Sequence, residues 1–212
     1  MKKLFTILTL ICCFTIATQA QSKSGTFGLQ VETGYTFELK FNDNRKANHE
    51  GWNIAVSPGY HVTDKLFIGA GVALYDYRYS EKGVPMYGSD KPIDIKNRFL
   101  SVPIYAHGLW KFGDGGKPGL FISLKAGYGI ISKSVDQIEG QAEVGILGQD
   151  YSGGLYVSPS VGYMYPLNKK HALSLSVSYD HQDYSVTTKT KERNYKSSEP
   201  NKTIGVKVGW FF

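Results

Sequence analysis

The chain has 212 residues, with 24 Lys and Arg against 18 Asp and Glu, 24 Gly, 15 Tyr and 11 Phe. A net charge of +6, dispersed along the sequence, excludes the concentrated basic footprint of a nucleic-acid-binding protein. After the amino-terminal segment no stretch approaches the roughly 18 consecutive apolar residues of a membrane helix, and the Gly-, Tyr- and Ser-rich composition suits one all-β domain rather than two.

The amino terminus reads Met1-Lys2-Lys3, then an apolar run from Leu4 to Ile16, then Ala17-Thr18-Gln19-Ala20. A charged start, a short greasy core and small residues before Gln21 predict a secretory signal peptide over residues 1–20, with residues 21–212 as the mature domain. Cys12 and Cys13 both fall inside that segment, and neither follows the small residue that a lipoprotein cleavage site needs. The mature chain is then expected to lack disulfides and thiol chemistry. Without Lys2 and Lys3 it carries 22 basic against 18 acidic residues, a net +4.

From residue 27 onward the dominant signal has a period of two. In the first segment Phe27, Leu29, Val31, Tyr35, Phe37, Leu39 and Phe41 alternate with Gly28, Gln30, Glu32, Gly34, Glu38 and Lys40. One face is greasy and the other polar. Segment two sets Trp52, Ile54, Val56, Pro58 and Tyr60 against Asn53, Ala55, Ser57, Gly59 and His61. Pro58 has no N–H for a ladder, so a bulge is expected there. Segment three opposes Leu66, Ile68, Ala70, Val72 and Leu74 to Phe67, Gly69, Gly71 and Ala73, and leaves the facing of Tyr75, Tyr77 and Tyr79 open. The same alternation recurs over residues 100–110, 120–130, 154–165 and 173–180, where Leu173, Leu175, Val177 and Tyr179 oppose Ser174, Ser176, Ser178 and Asp180. The eighth segment, Ile204 to Phe212, places Ile204, Val206, Val208, Trp210 and Phe212 on one face and Lys207 at the centre of the other.

A soluble eight-stranded barrel would turn the greasy face inward around a ligand and leave Ser and Gly outside. The connections argue for the reverse. Three are short, at residues 63–65, 113–118 and 168–170, and they alternate with long charged ones, as in a barrel with tight turns at one membrane face and loops at the other. Aromatic residues gather towards the strand ends: Phe27, Tyr60, Trp110, Tyr163, Tyr165, Trp210 and Phe212 at one end, Phe41, Trp52 and Tyr179 at the other. That distribution matches two interfacial girdles. The expected fold class is therefore all-β, an eight-stranded antiparallel up-and-down transmembrane β-barrel with short periplasmic turns and long extracellular loops. Eight strands place the N- and C-termini together in the periplasm.

Charges on the polar face must then sit in a narrow interior. Glu32, Lys125 and Lys207 each lie about six residues from the same edge, and unpaired charge is costly there. They are expected to form a network that fills the lumen; the alternative is a gated conduction path. His61, His107, Asp180 and His181 lack the spacing of a metal motif or a nucleophile elbow, so no catalytic or metal site is predicted, and Gly113 to Pro118 reads as a turn because it lacks the spacing of a phosphate loop. In residues 183–202 an alternating run from Tyr184 to Lys191 looks like the last two strands continuing as a hairpin above the membrane, and a basic rim there of Lys189, Lys191, Arg193 and Lys196 is suited to lipid phosphates. Residues 133–152 are acidic, with Asp136, Glu139, Glu143 and Asp150.

The ending Ile204 to Phe212, hydrophobic at every second position and closing on Phe, resembles the C-terminal insertion signal of bacterial outer-membrane barrels. That resemblance implies the barrel-assembly machinery as a partner during insertion. The mature chain as a whole resembles the small outer-membrane β-barrel family of OmpA/OmpX type, often described as porin-like. The resemblance implies residence in the bacterial outer membrane, contact with its lipid and lipopolysaccharide, no cofactor and no nucleic acid. It leaves three functional readings: a non-enzymatic envelope or surface-interaction protein with a filled lumen, a narrow porin-like channel, or an outer-membrane lipid-modifying enzyme.

Overall fold

A computed structural model describes residues 24–38, 47–84, 93–114, 116–138, 146–168, 171–190 and 194–212. The segment expected to be a signal peptide and Phe41 lie outside the described residues. The elements are all strands: β1 (Thr26–Glu38), β2 (Ala47–His61), β3 (Leu66–Val84), β4 (Ile93–Lys111), β5 (Gly119–Ile138), β6 (Ile146–Ser152), β7 (Gly154–Pro166), β8 (Ala172–Thr190) and β9 (Asn194–Phe211). Every pairing is antiparallel. The short β6 and β7 follow one another along β8, separated only at Gly153, and together make one stave. Because β1 pairs with both β2 and β9, and β9 also pairs with β8, eight staves close into a barrel. At the seam the Phe212 amide donates to the Leu29 carbonyl (2.9 Å), and the Leu29 amide donates back to Phe212 (3.3 Å).

The period of two decides which side chain faces which medium. Ser174, Ser176, Ser178 and Asp180 are buried inside, while their neighbours Leu175 and Val177 are half exposed on the outer wall. Ile68, Ile104, Leu120, Leu155 and Val161 are likewise exposed. The oily face points away from the barrel axis, the opposite of a soluble ligand-binding barrel. Parity also settles the tyrosines of β3: Tyr75 and Tyr77 continue the inward series begun by Phe67 and are buried.

The strands outrun the predicted segments at one end. β3, β4, β5 and β8 have 19 or 20 residues each, about twice the 9 to 11 needed to cross hydrocarbon at a tilt. Much of what reads in sequence as long loop is therefore paired strand, as in residues 93–99 of β4; β8 and β9 continue as a hairpin, in register from Ala172↔Phe211 to Lys189↔Asn194. Above Gly129↔Gly154 the ladder between β5 and its neighbouring stave ends, because β6 pairs with β8 alone. At the opposite end the connections are tight. In the β4–β5 turn Gly113 takes a positive φ of 94°, and Lys117 donates to Asp114 across 3.0 Å. That hydrogen bond holds the Asp114 carboxyl below the usual carboxylate range.

No bulge forms at Pro58. The β1 side of β2 pairs straight through it, while the β2–β3 ladder stops at Val56↔Val72 and resumes at Gly59↔Gly69 in the same register. Pro103 and Pro159 do the same, each interrupting one ladder and leaving the other intact. A missing N–H removes hydrogen bonding on one side of a strand only, and the rigid neighbour on the other side keeps the register.

Glycine fits where a lumen side chain presses on the wall. A Cβ built on Gly71 would stand 2.7 Å from the Tyr105 ring and 2.7 Å from Ser57 Oγ. We expect Gly71→Val to lower stability by about 1–3 kcal/mol through overpacking, read from urea unfolding of the protein folded into lipid vesicles.

Candidate functional site in the barrel lumen

The lumen is stacked in three layers. Nearest the tight turns, Phe67, Leu109, Phe121, Met164 and Phe211 form an apolar cluster. Towards the opposite end, Ala55, Ala73, Tyr75, Tyr77, Phe99, Tyr105 and Tyr156 form a second cluster rich in tyrosine. Between and against these lie the charges.

The charged layer contains two ion pairs. Lys125, from β5, donates to Glu32 of β1 across the barrel at 2.5 Å, and Gln30 donates to the other Glu32 oxygen at 3.1 Å. Lys207, from β9, donates to Asp180 of β8 at 2.7 Å and to the hydroxyls of Tyr75 and Ser158, both at 3.2 Å. The Lys207 side chain is 2% exposed and that of its Asp180 partner 1%. The Tyr75 hydroxyl also meets that of Tyr156 at 2.8 Å, and Ser178 donates to Asp180 at 3.1 Å. The ammonium of Lys125 lies 5.4 Å from the Tyr105 ring centroid, and that of Lys207 5.8 Å from the Tyr75 centroid. Charges in so dry a space persist only when paired and hydrogen-bonded, and these are. Gly34 makes room for the lysine stem: a Cβ there would come within 2.6 Å of Lys207 Cγ.

Of the three lumen residues singled out in the sequence, the structure joins Glu32 to Lys125 but gives Lys207 to Asp180. The sequence already places Asp180 on the inner face; what it does not show is height. Asp180 pairs with Thr203 and Lys207 with Ser176, four residues further towards the turns, and the lysine reaches up to close the gap. Tyr105, His107 and Tyr156 also fall on inward parity and were open to the same reading. Among the described residues, both ring nitrogens of His107, the Asn53 amide and Thr203 Oγ1 are buried without a hydrogen-bond partner.

The other candidates separate. His181 points away from Asp180, as successive strand residues must, and contacts Asp183 at 3.1 Å. A hydrolytic group of Asp180, His181 and a hydroxyl is therefore not assembled. Among the described residues no three His, Cys, Asp or Glu side chains lie close enough to hold a metal. In the basic rim, Lys189 pairs with Asp150 at 2.6 Å and Lys196 is exposed, while Lys191 and Arg193 lie outside the described residues. On β9, Val206, Val208 and Trp210 are exposed on the outer wall, and Ile204 and Phe212 are partly covered. His171 packs between Trp210 and Phe212, with ring centroids at 5.9 and 5.6 Å.

A closed antiparallel barrel with an apolar outer wall, a charged and packed interior and a C-terminal strand sealed to the first is an integral membrane β-barrel. The chain belongs to the family described as outer membrane protein beta-barrel domain, whose pattern matches residues 6–212. Among solved structures it is similar to the outer membrane protein OprG from Pseudomonas aeruginosa, at 13% identity and a TM-score of 0.57, covering 91% of this chain and 99% of that one. It is also similar to the outer membrane protein AlkL in lipid bilayers, at 14% identity and a TM-score of 0.50, covering 92% of this chain and 94% of that one. At such identities the likeness concerns the fold. No curated protein matches the chain in sequence.

Removing one partner of the Lys207–Asp180 pair strands the other. Lys207→Met is expected to cost about 3–5 kcal/mol in vesicle-based urea unfolding, and Lys207→Met combined with Asp180→Asn to recover most of that loss.

Proposed function

We propose that this protein is a sealed, non-enzymatic barrel of the bacterial outer membrane, with both termini in the periplasm and a role in envelope structure or surface contact. The observation that carries this reading is the packed lumen: Glu32, Lys125, Lys207 and Asp180 are all buried and paired, with apolar side chains beneath them and stacked tyrosines above. Eight staves leave an interior that side chains fill. The strand ends beyond the apolar band supply the working surface. There, among the described residues, no ladder joins the outer lengths of β5 and β6, and strand ends standing beyond the band are suited to strand addition by a partner.

A second reading, a narrow channel for ions or small solutes, draws on the unpartnered polar atoms of His107, Asn53 and Thr203, which would suit a thread of water past the ion pairs. Planar-bilayer recording separates the two. The sealed barrel is expected to show no steady conductance in the wild type, and opening of a small-ion path only when Glu32→Gln unpairs Lys125. Steady wild-type conductance that changes in Glu32→Gln would establish the channel instead.

A further inference from the structure

The outer wall carries a charged constellation that the lumen does not explain. On β3 the outward residues run Leu66, Ile68, Ala70, Val72 and Leu74, then change to Asp76 and Arg78. On β4 they run from Trp110 to Leu100, then change to Arg98 and Lys96. Arg78 and Arg98 stand directly opposite one another in the β3–β4 ladder, where like charges repel. A single carboxylate lies between them. Arg98 grips Asp76 with two hydrogen bonds of 2.7 Å, the Trp52 indole N–H fixes the same carboxylate at 2.9 Å, and Arg78 reaches it only at 3.7 Å. Glu50, the ladder partner of Arg78, accepts a 2.7 Å hydrogen bond from the Tyr35 hydroxyl.

Among the described side chains three cations (Arg78, Arg98 and Lys96) therefore meet two carboxylates, and both guanidiniums remain more than half exposed. Their height on the wall points to the anion they would meet. Arg78 lies twelve residues above Leu66, which at about 3.4 Å per residue and a tilt of about 40° is roughly 30 Å from the turn end. The apolar band of such barrels is about 25 Å tall, so the guanidiniums emerge just beyond hydrocarbon, beside the half-exposed aromatic rings of Tyr35, Phe37 and Trp52. That is the level of lipid headgroups.

We propose that Arg78 and Arg98, preset by Asp76 and Trp52 and flanked by Lys96, seat a phosphate of a phosphorylated glycolipid in the leaflet facing the strand-extended end of the barrel. Planar guanidiniums with spare N–H donors match phosphate oxygens bidentately, and the aromatic neighbours cover the sugar and acyl boundary. The seat lies on the barrel wall, apart from the rim of Lys189 and Lys196, where Asp150 already neutralises Lys189. It rests on the outer-membrane setting and is independent of whether the lumen conducts.

The test uses the full mature protein folded in detergent micelles, incubated with bis-phosphorylated lipid A or with the same lipid stripped of phosphate, and passed through gel filtration. Retained lipid is weighed by mass spectrometry. Wild type is expected to hold the phosphorylated lipid, to lose the stripped form, and to resist displacement by inorganic phosphate. Arg78→Gln, which leaves the Asp76–Arg98 pair in place, is expected to cut retention about tenfold, as for loss of one charge-assisted contact. Arg78→Lys should restore part of it, and Lys117→Gln, in the tight turn at the opposite end of the barrel, should leave it unchanged. Equal retention of the stripped lipid, which needs no protein variant to observe, would overturn the proposal. So would undiminished binding by folded Arg78→Gln, displacement by inorganic phosphate, or loss confined to Lys196→Gln on the rim.

Discussion

The seam between β1 and β9 is the constraint on which the rest of the molecule depends. Lipid offers no hydrogen bonds, so a sheet in a membrane must leave no edge within the hydrocarbon. Here the first and last strands meet over nine residue pairs, from Gln30↔Phe211 to Glu38↔Thr203, and the terminal Phe212 adds two further backbone bonds. Closure fixes the number of staves, and the number of staves fixes the bore. From the bore follows the need to fill it, which two uncharged clusters and the ion pairs between them do.

The interior shows how a membrane protein can hold ions where a soluble core would hold leucine. With the oily residues committed to the outside, alternation forces the polar set inward, and alternation also provides the pairing. Glu32 and Lys125 come from opposite sides of the barrel, whereas Lys207 and Asp180 come from adjacent strands. Tyrosines bridge the two media: Tyr75 and Tyr156 offer hydroxyls to the ionic layer and rings to the cluster above it. The same two-sided logic holds on the outer wall, where Trp52 keeps its ring in the girdle and its N–H on Asp76.

Much of this was legible in the period of two. The eight staves, the outward direction of Leu175 or Ile104, and the inward direction of Glu32, Lys125, Lys207 and Asp180 all follow from counting alternate residues. Two kinds of feature were not legible. Charged, polar stretches such as residues 93–99 look like loop in one dimension, yet they are paired strand, because the partner that satisfies their backbone lies in another segment. Pro58 looked like a bulge because sequence shows the missing N–H and not the intact ladder on the other side.

What the sequence determined by itself was the facing of each side chain, since that depends only on the pleat of the residue's own strand. What the tertiary structure alone decided was which inward charge meets which, and which outward arginines stand side by side. Those partnerships depend on the tilt and stagger with which the strands close, quantities set by all eight staves together and carried by no single stretch of the chain. Lys207 finds Asp180, and Arg78 faces Arg98, because the ring closes in that register.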